Sequence, residues 1–367
     1  MIDPRFWSGI DVFITGHTGF KGSWLCLWLK SMGSRVTGYA LDPPTSPSLY
    51  EAAEVGSEID RDIRGDIRDL PRLRDAIEEA RPDIIFHLAA QPLVQQSYED
   101  PVETYSTNVM GTVHLMEASR DASKLQALVA VSSDKCYENN EWPWGYREID
   151  PMGGHDPYSS SKGCAELAVS AFRRSFFSGE QPPHLASARA GNVVGGGDWA
   201  ADRLLPDIVR AFSEGEPVHV RNPHAVRPWQ HVLDALSGYL TLAQRLVEEG
   251  PRFAGGWNFG PATDSGHSVS WVVSRAKEMW GEGAEWTFDE TATPHEAHYL
   301  KLDCSKARSL LKWKARLSTE EALAWAVEWY RAFYGGKYDD SKSVMAFTLD
   351  RIERFQSNSD DFYAYTA

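Results

Sequence analysis

Residues 15–22 read T-G-H-T-G-F-K-G, with Gly16, Gly19 and Gly22 spaced three apart. Ahead of this turn runs D-V-F-I-T-G (11–16), a short apolar stretch. Behind it runs G-S-W-L-C-L-W-L-K-S-M-G (22–33), an amphipathic segment that stops at Gly33. Glycines between a strand and a helix let the chain turn sharply, let a pyrophosphate approach the backbone and let the helix sit close to its strand. The unpaired N–H groups of the first helical turn then face the phosphates. Few architectures need all three at once, so the turn points to a dinucleotide-binding strand–turn–helix. His17, Phe20 and Lys21 lie in the same turn and join the glycines as candidate cofactor contacts.

The pattern continues with R-V-T-G-Y-A-L (35–41), D-L-P-R-L-R-D-A-I-E-E-A (69–80), D-I-I-F-H-L-A-A (83–90), a helical segment at 103–119, the strand L-Q-A-L-V-A-V-S-S (125–133) and a helix from about Ser160. Alternation of continuously apolar strands with helices predicts an α/β fold, a parallel sheet covered on both faces. At the end of the second strand, Asp42 either accepts from a ribose hydroxyl or caps the turn before two prolines. Asp66 and Ile67, after a third strand, either hold an adenine or sit in a solvated turn.

The 37 basic and 52 acidic residues leave a net charge of −15 over 367 residues. Such a surface repels nucleic acid and anionic membranes, so neither is an expected partner. An anionic substrate would need a local concentration of cations. Cys26, Cys136, Cys164 and Cys304 are scattered, with no C-x-x-C pair, which argues against zinc and against a disulfide framework; no metal is expected. The start lacks the pattern of a signal peptide and no apolar run is long enough to span a bilayer, so a soluble cytoplasmic protein is expected.

Tyr158 and Lys162 lie four apart, on one face of a helix. A phenol with a pKa near 10 acts as a base at neutral pH only if its anion is stabilised, and a neighbouring ammonium does that. Ser133 ends the preceding strand and is followed directly by Asp134 and Lys135.

The glycine spacing, H-L-A-A-Q-P at 87–92, Asn108, Ser133 and Tyr158-x-x-x-Lys162 together resemble the extended short-chain dehydrogenase/reductase family, over roughly residues 10–330. Within it, G-H-T-G-F-K-G-S-W-L (16–25), the segment 132–148, D-P-Y-S-S-S-K-G-C-A-E-L (156–167), the segment 189–207, V-R-P-W-Q-H-V (226–232) and H-E-A-H-Y-L-K-L-D (295–303) resemble the CDP-glucose 4,6-dehydratase branch. The resemblance implies a Rossmann-type doubly wound sheet with a smaller C-terminal substrate-binding domain. Residues 1–188, with returning segments near 226–256, would form the first. Residues 189–225 and 257–335 would form the second, ahead of a C-terminal tail at 336–367. It also implies NAD as cofactor, CDP-glucose as substrate, and a homodimer paired through helices at 101–119 and 158–176. Leu88, Ala89, Ala90, Asn108 and Ser132 would contribute to the cofactor site, and Gln91, Asn192, His298 and Tyr299 to the substrate site. Arg227, with Arg221, is the candidate diphosphate ligand, because a guanidinium forms bidentate bonds to phosphate. Arg203 faces either ligand or solvent.

In that chemistry Tyr158 takes the proton of the sugar 4-hydroxyl, Ser133 hydrogen-bonds the same oxygen, and Lys162 holds the nicotinamide ribose. A 4-keto group acidifies the C5 proton, so a base at C5 and an acid at the C6 hydroxyl can then expel water. Asp134 is the candidate acid and Lys135 the candidate base. Alternatively, Lys135 stays charged and stabilises the enolate while Glu138 is the base, or Asp134 and Lys135 form a structural ion pair. The family's dTDP-glucose branch carries Asp-Glu where this chain has Asp134-Lys135. Other readings are a nucleotide-sugar epimerase, an inverting dehydratase of an N-acetylhexosamine nucleotide, and a non-catalytic NAD-binding regulator. Elsewhere, Trp257 reads as core, Trp313, Trp325 and Trp329 as core positions of one helix, and residues 337–367 as a polar tail with an amphipathic helix at 343–355.

Overall fold

The computed structural model describes residues 2–261, 266–288, 300–336 and 340–357. The first six strands are β1 (Asp11–Thr15), β2 (Arg35–Ala40), β3 (Arg61–Arg64), β4 (Ile84–His87), β5 (Ala127–Ser133) and β6 (His184–Ala190). Short strands follow: β7 (Val193–Val194), β8 (Val218–Val220), β9 (Val226–Pro228) and β10 (Gln230–His231). Then come β11 (Gly256–Phe259), β12 (Gly266–Ser268) and β13 (Trp286–Phe288). Seven of these form one sheet in the order β11-β6-β5-β4-β1-β2-β3, parallel at every pairing. The order reverses between β1 and β4. Connections part to opposite faces there, leaving a crevice at the carboxyl ends of the strands.

The strands are apolar on both sides because helices cover both faces. Val12 and Ile14 of β1, Ile84 and Phe86 of β4, and Ala127 and Val129 of β5 join one buried cluster, with Trp24, Leu25 and Trp28 of the Phe20–Ser31 helix and Leu233, Leu236 and Leu240 of the Val232–Glu249 helix. Their alternates Phe13, Ile85 and Leu128 join the other, with Leu73, Ile77, Leu115 and Met116. That is the two-residue alternation of a strand buried on both faces.

Four expectations need correction. The helix expected over 103–119 is broken: Pro101–Tyr105 and Gly111–Ser119 flank a π-turn at Ser106–Met110, where the Thr112 hydroxyl takes up the Asn108 carbonyl at 2.7 Å. The domain boundary expected at 257 falls inside β11, which pairs with β6 in the large sheet. Trp313 is not on the helix of Trp325 and Trp329, which spans Thr319–Tyr334; it precedes it and donates to Ser237 Oγ at 2.8 Å. The tail helix, Ser341–Ser357, is no polar appendage. Val344, Ile352 and Phe355 are buried in the main core, Phe355 edge-on to Trp28, and Trp329 Nε1 donates to Thr348 Oγ1 at 3.1 Å. Trp257 is buried as expected.

Candidate active site

The glycine turn lies at the reversal of strand order. Gly16 has φ +76°, and a Cβ there would come within 2.6 Å of the Ala89 nitrogen; one at Gly22 would overlap the Gly16 carbonyl. Gly19 differs. A Cβ there meets nothing nearer than the Gly16 oxygen at 3.4 Å, an ordinary contact. Packing within the chain therefore does not demand that glycine, whereas close approach of a phosphate would. Gly19 also caps the Phe20–Ser31 helix without any side-chain bond, so the first N–H groups have no side-chain cap. The turn has the form of a pyrophosphate cradle.

Around it, the His17 ring is buried, packs on Gly38 and lies 2.8 Å from Asp62 through Nε2; burial lowers its pKa. Leu88, Ala89 and Ala90 leave β4 half-buried, with Ala89 N donating to Thr15 Oγ1. Asp42 is 89% exposed and accepts from Arg64 Nε at 3.0 Å. The Asp66 carboxylate is engaged by Arg68, and Ile67 is buried against Gly111.

At the end of β5, Ser133 caps the short turn Asp134–Cys136, accepting from Lys135 N at 3.2 Å and donating to Asp134 Oδ1 at 3.0 Å. The Pro157–Ser175 helix begins under Asp156, which accepts from Ser159 N, and with Pro157 in its first turn. Tyr158 and Lys162 follow one turn apart. Lys162 Nζ lies 5.7 Å from the Tyr158 ring centroid, and Lys135 Nζ lies 6.0 Å from the same ring. Burial pushes Tyr158 up to about 12, while a Ser133 hydrogen bond pulls it down. Burial brings Lys162 down to about 8. Asp134 is 3% exposed and burial raises its pKa, against the pull of Lys135, Ser133, Arg227 and Lys21. Ser133, Asp134, Lys135, Tyr158 and Lys162 thus share one site. Glu138 is exposed, its carboxylate resting over Gly153, while Lys135 lies beside Tyr158.

Cations gather here in an otherwise acidic molecule. Burial lowers Lys21 to about 8, with Arg203 and Lys162 adding to the shift. Arg203 pairs with Asp198 at 2.8 Å, with its side chain about a third exposed, and acts on Tyr158. Arg227, on β9, is buried and acts on Asp134. Arg221 instead pairs with Asp202 at 3.1 Å, both about half-exposed. Asn192 is half-buried, its carbonyl accepting from Gln230 N. His298 and Tyr299 lie outside the described residues.

Three candidate contacts turn inward. The Gln91 amide bonds Leu93 and Thr104. Asn108 bonds the Gln91 backbone twice and Ser161 Oγ, tying the loop after β4 to the Tyr158 helix. Ser132, alternating with Ser133 on β5, buries its hydroxyl beneath that helix. Sequence reasoning missed the support below. Arg189 pairs with Glu166 at 2.7 Å, both nearly fully buried, and donates to Tyr137, which donates to Asn258. Glu166 stands four residues after Lys162, a helical spacing that could have pointed to it. Among the described residues, no group of three or more His, Cys, Asp or Glu is placed to hold a metal, the four cysteines are unpaired, and no helix is long and apolar enough to cross a membrane.

A phosphate cradle at the crevice of a doubly wound sheet, with Ser133, Tyr158 and Lys162 beside it, defines an extended short-chain dehydrogenase/reductase. The family model described as GDP-mannose 4,6 dehydratase matches residues 13–325, and the chain belongs to that family. It is 56% identical over 341 residues to the CDP-glucose 4,6-dehydratase of Salmonella typhimurium, covering 92% of this chain and 95% of that one. It is 27% identical to a dTDP-glucose 4,6-dehydratase of Xanthomonas campestris over 86% of this chain and 92% of that one. Among solved structures it resembles MoeE5 in complex with UDP-glucuronic acid and NAD, with TM-score 0.74 and 29% identity, covering 88% of this chain and 99% of that one.

Proposed function

We propose that this chain dehydrates CDP-D-glucose to CDP-4-keto-6-deoxy-D-glucose with NAD. The observation that carries the reading is the placement of Asp134, a carboxyl kept protonatable by burial, and Lys135 beside Tyr158. An epimerase needs no acid–base pair at this point. The 56% identical relative supports CDP-glucose as substrate.

NAD, when bound, supplies the acceptor for the C4 hydride and its return to C6. Tyr158 takes the 4-hydroxyl proton, its anion favoured by the Lys162 ammonium; Ser133 holds the same oxygen. Lys135 then removes the C5 proton, and Asp134 gives its proton to the departing C6 hydroxyl. The Lys135 ammonium returns a proton to C5 as hydride reaches C6, and Tyr158 and Asp134 exchange their protons with solvent to reset the site. Lys21, Arg203 and Arg227 balance the diphosphate charge. Gly16, Gly19 and Gly22 seat the cofactor's pyrophosphate, with Phe20 and His17 shaping the turn. A large domain through 1–188 and a smaller substrate domain, with β11 and the tail helix joined to the first, remain the division of labour we infer.

The test supplies NAD and, separately, CDP-, UDP-, dTDP- and GDP-glucose, and follows loss of one water by mass spectrometry. Loss from CDP-glucose is expected. Loss from none of the four sinks the reading, and loss from another alone sinks the choice of base. A cytoplasmic homodimer is part of the proposal. Val102, Met110 and Leu167 are 78%, 47% and 60% exposed on the 101–119 and 157–175 segments, which suits pairing of two copies. Sedimentation should show a dimer, and Val102→Glu with Leu167→Arg should halve its mass; an unchanged dimer would place the contact elsewhere.

A further inference from the structure

Beneath the Tyr158 helix lies a cavity of about 10 Å³, room for about one water. His87, Asn108, Ser132, Ser187, Lys162 and Glu166 are among its lining residues. His87 is satisfied by Thr15 and Thr112 at 2.7 and 3.0 Å, Asn108 by Gln91 and Ser161, and Ser187 Oγ donates to Glu166 Oε2. Two buried polar atoms have no protein partner: Ser132 Oγ and Glu166 Oε1. Glu166 is 4% exposed, and its other oxygen already takes Ser187 and Arg189. Leaving such atoms unbonded is costly, and more so for a charged group.

We propose that Glu166 is a positioning residue for the cofactor-holding lysine: Glu166 Oε1 and Ser132 Oγ hold one water against Lys162 Nζ, keeping that ammonium charged and aimed at the crevice. The proposal rests on the NAD-dependent reading. Around Lys162 stand Tyr158 on its own helix, Glu166 one turn on, His87 from β4, Cys136 from the turn after β5 and Lys21 from the glycine turn. Burial holds the Cys136 thiol well above its ordinary range and His87 neutral, down at about 3. Lys21 is a like charge. Glu166 is therefore the counter-charge that opposes the burial of Lys162.

A neighbouring carboxylate favours the ammonium, so neutralising it makes Lys162 lose its proton at lower pH. The experiment titrates NAD by tryptophan fluorescence quenching, from about pH 6 to about pH 9, bracketing the lysine. It compares the full chain, Glu166→Gln and Ser132→Ala. Affinity of the parent should fall through about pH 8. Glu166→Gln should bring that fall about one pH unit lower, with binding about two- to fivefold weaker between the two midpoints and approaching tenfold weaker above them. Ser132→Ala, which leaves the Arg189 pair intact, should shift it less and in the same direction. If Glu166→Gln binds uniformly less well with an unmoved midpoint, Glu166 is only Arg189's structural partner and the proposal falls. Should that variant fail to fold, an unmoved midpoint in Ser132→Ala overturns the proposal alone. Absence of NAD binding by the parent at any pH would instead sink the cofactor reading on which it rests.

Discussion

Asp134→Asn and Lys135→Met should each lower the rate of water loss from CDP-glucose about 10²- to 10⁴-fold, the range a placed acid or base contributes. Oxidation at C4 should survive, because Ser133, Tyr158 and Lys162 are untouched. Each variant mixed with substrate and NAD should therefore show the absorbance of reduced nicotinamide rising toward one equivalent and staying there. In the parent that signal should stay low, since the hydride returns to C6 as soon as water has left. Asn keeps the shape of Asp134 and can still accept from the Ser133 hydroxyl at 3.0 Å, so a loss of rate reports the proton and not the fold. A variant pair that still eliminates water at the parent rate would exclude Asp134 and Lys135. Exposed Glu138 would then be the next base to replace, by Gln, with the same readout.

Replacing Gly22 by Ala should abolish NAD binding and destabilise the chain by about 1–3 kcal/mol, the usual cost of forcing atoms into a packed site. The new Cβ would overlap the Gly16 carbonyl, and relief would need the Phe20–Ser31 helix to move away from β1. That helix buries Trp24, Leu25, Trp28 and Leu29, so it cannot move cheaply. Gly19→Ala is the control. Its Cβ meets only ordinary contact at 3.4 Å, so the melting transition should shift by less than about 0.5 kcal/mol, as for an unstrained substitution. NAD affinity should nevertheless fall at least about tenfold, since a methyl group would stand where the pyrophosphate approaches. Melting curves and NAD titrations of the two variants separate a glycine needed by the chain from one needed by the ligand. Equal loss of stability in both would remove the distinction.

Much of this was legible in the residues. The glycine spacing, the continuously apolar strands and the Tyr158–Lys162 interval are local patterns, and each rests on a short-range geometric rule. Asn108 and Gln91 were harder. Their residue types suit ligand contact, but the π-turn at Ser106–Met110 and the bond to Thr104 turn both amides inward. Nothing in a polar side chain states whether its partner will be a ligand or the backbone. Trp313 failed for a related reason: its spacing from Trp325 and Trp329 suits a helix, yet the chain turns between them.

By itself, then, the sequence determined the doubly wound sheet, the glycine turn at its crevice and the placing of Tyr158 and Lys162 one helical turn apart, because periodicity, turn chemistry and i,i+4 spacing act over a few residues. Only the tertiary structure decided that Asp134 is buried and its carboxyl raised, that Arg227 and Lys21 act on it while Arg203 acts on Lys21, and that Arg189 anchors Glu166 beneath Lys162. Those properties depend on desolvation and on charges brought in from tens of residues away. They come into being only when β5, β6, β9 and the Pro157–Ser175 helix are packed together.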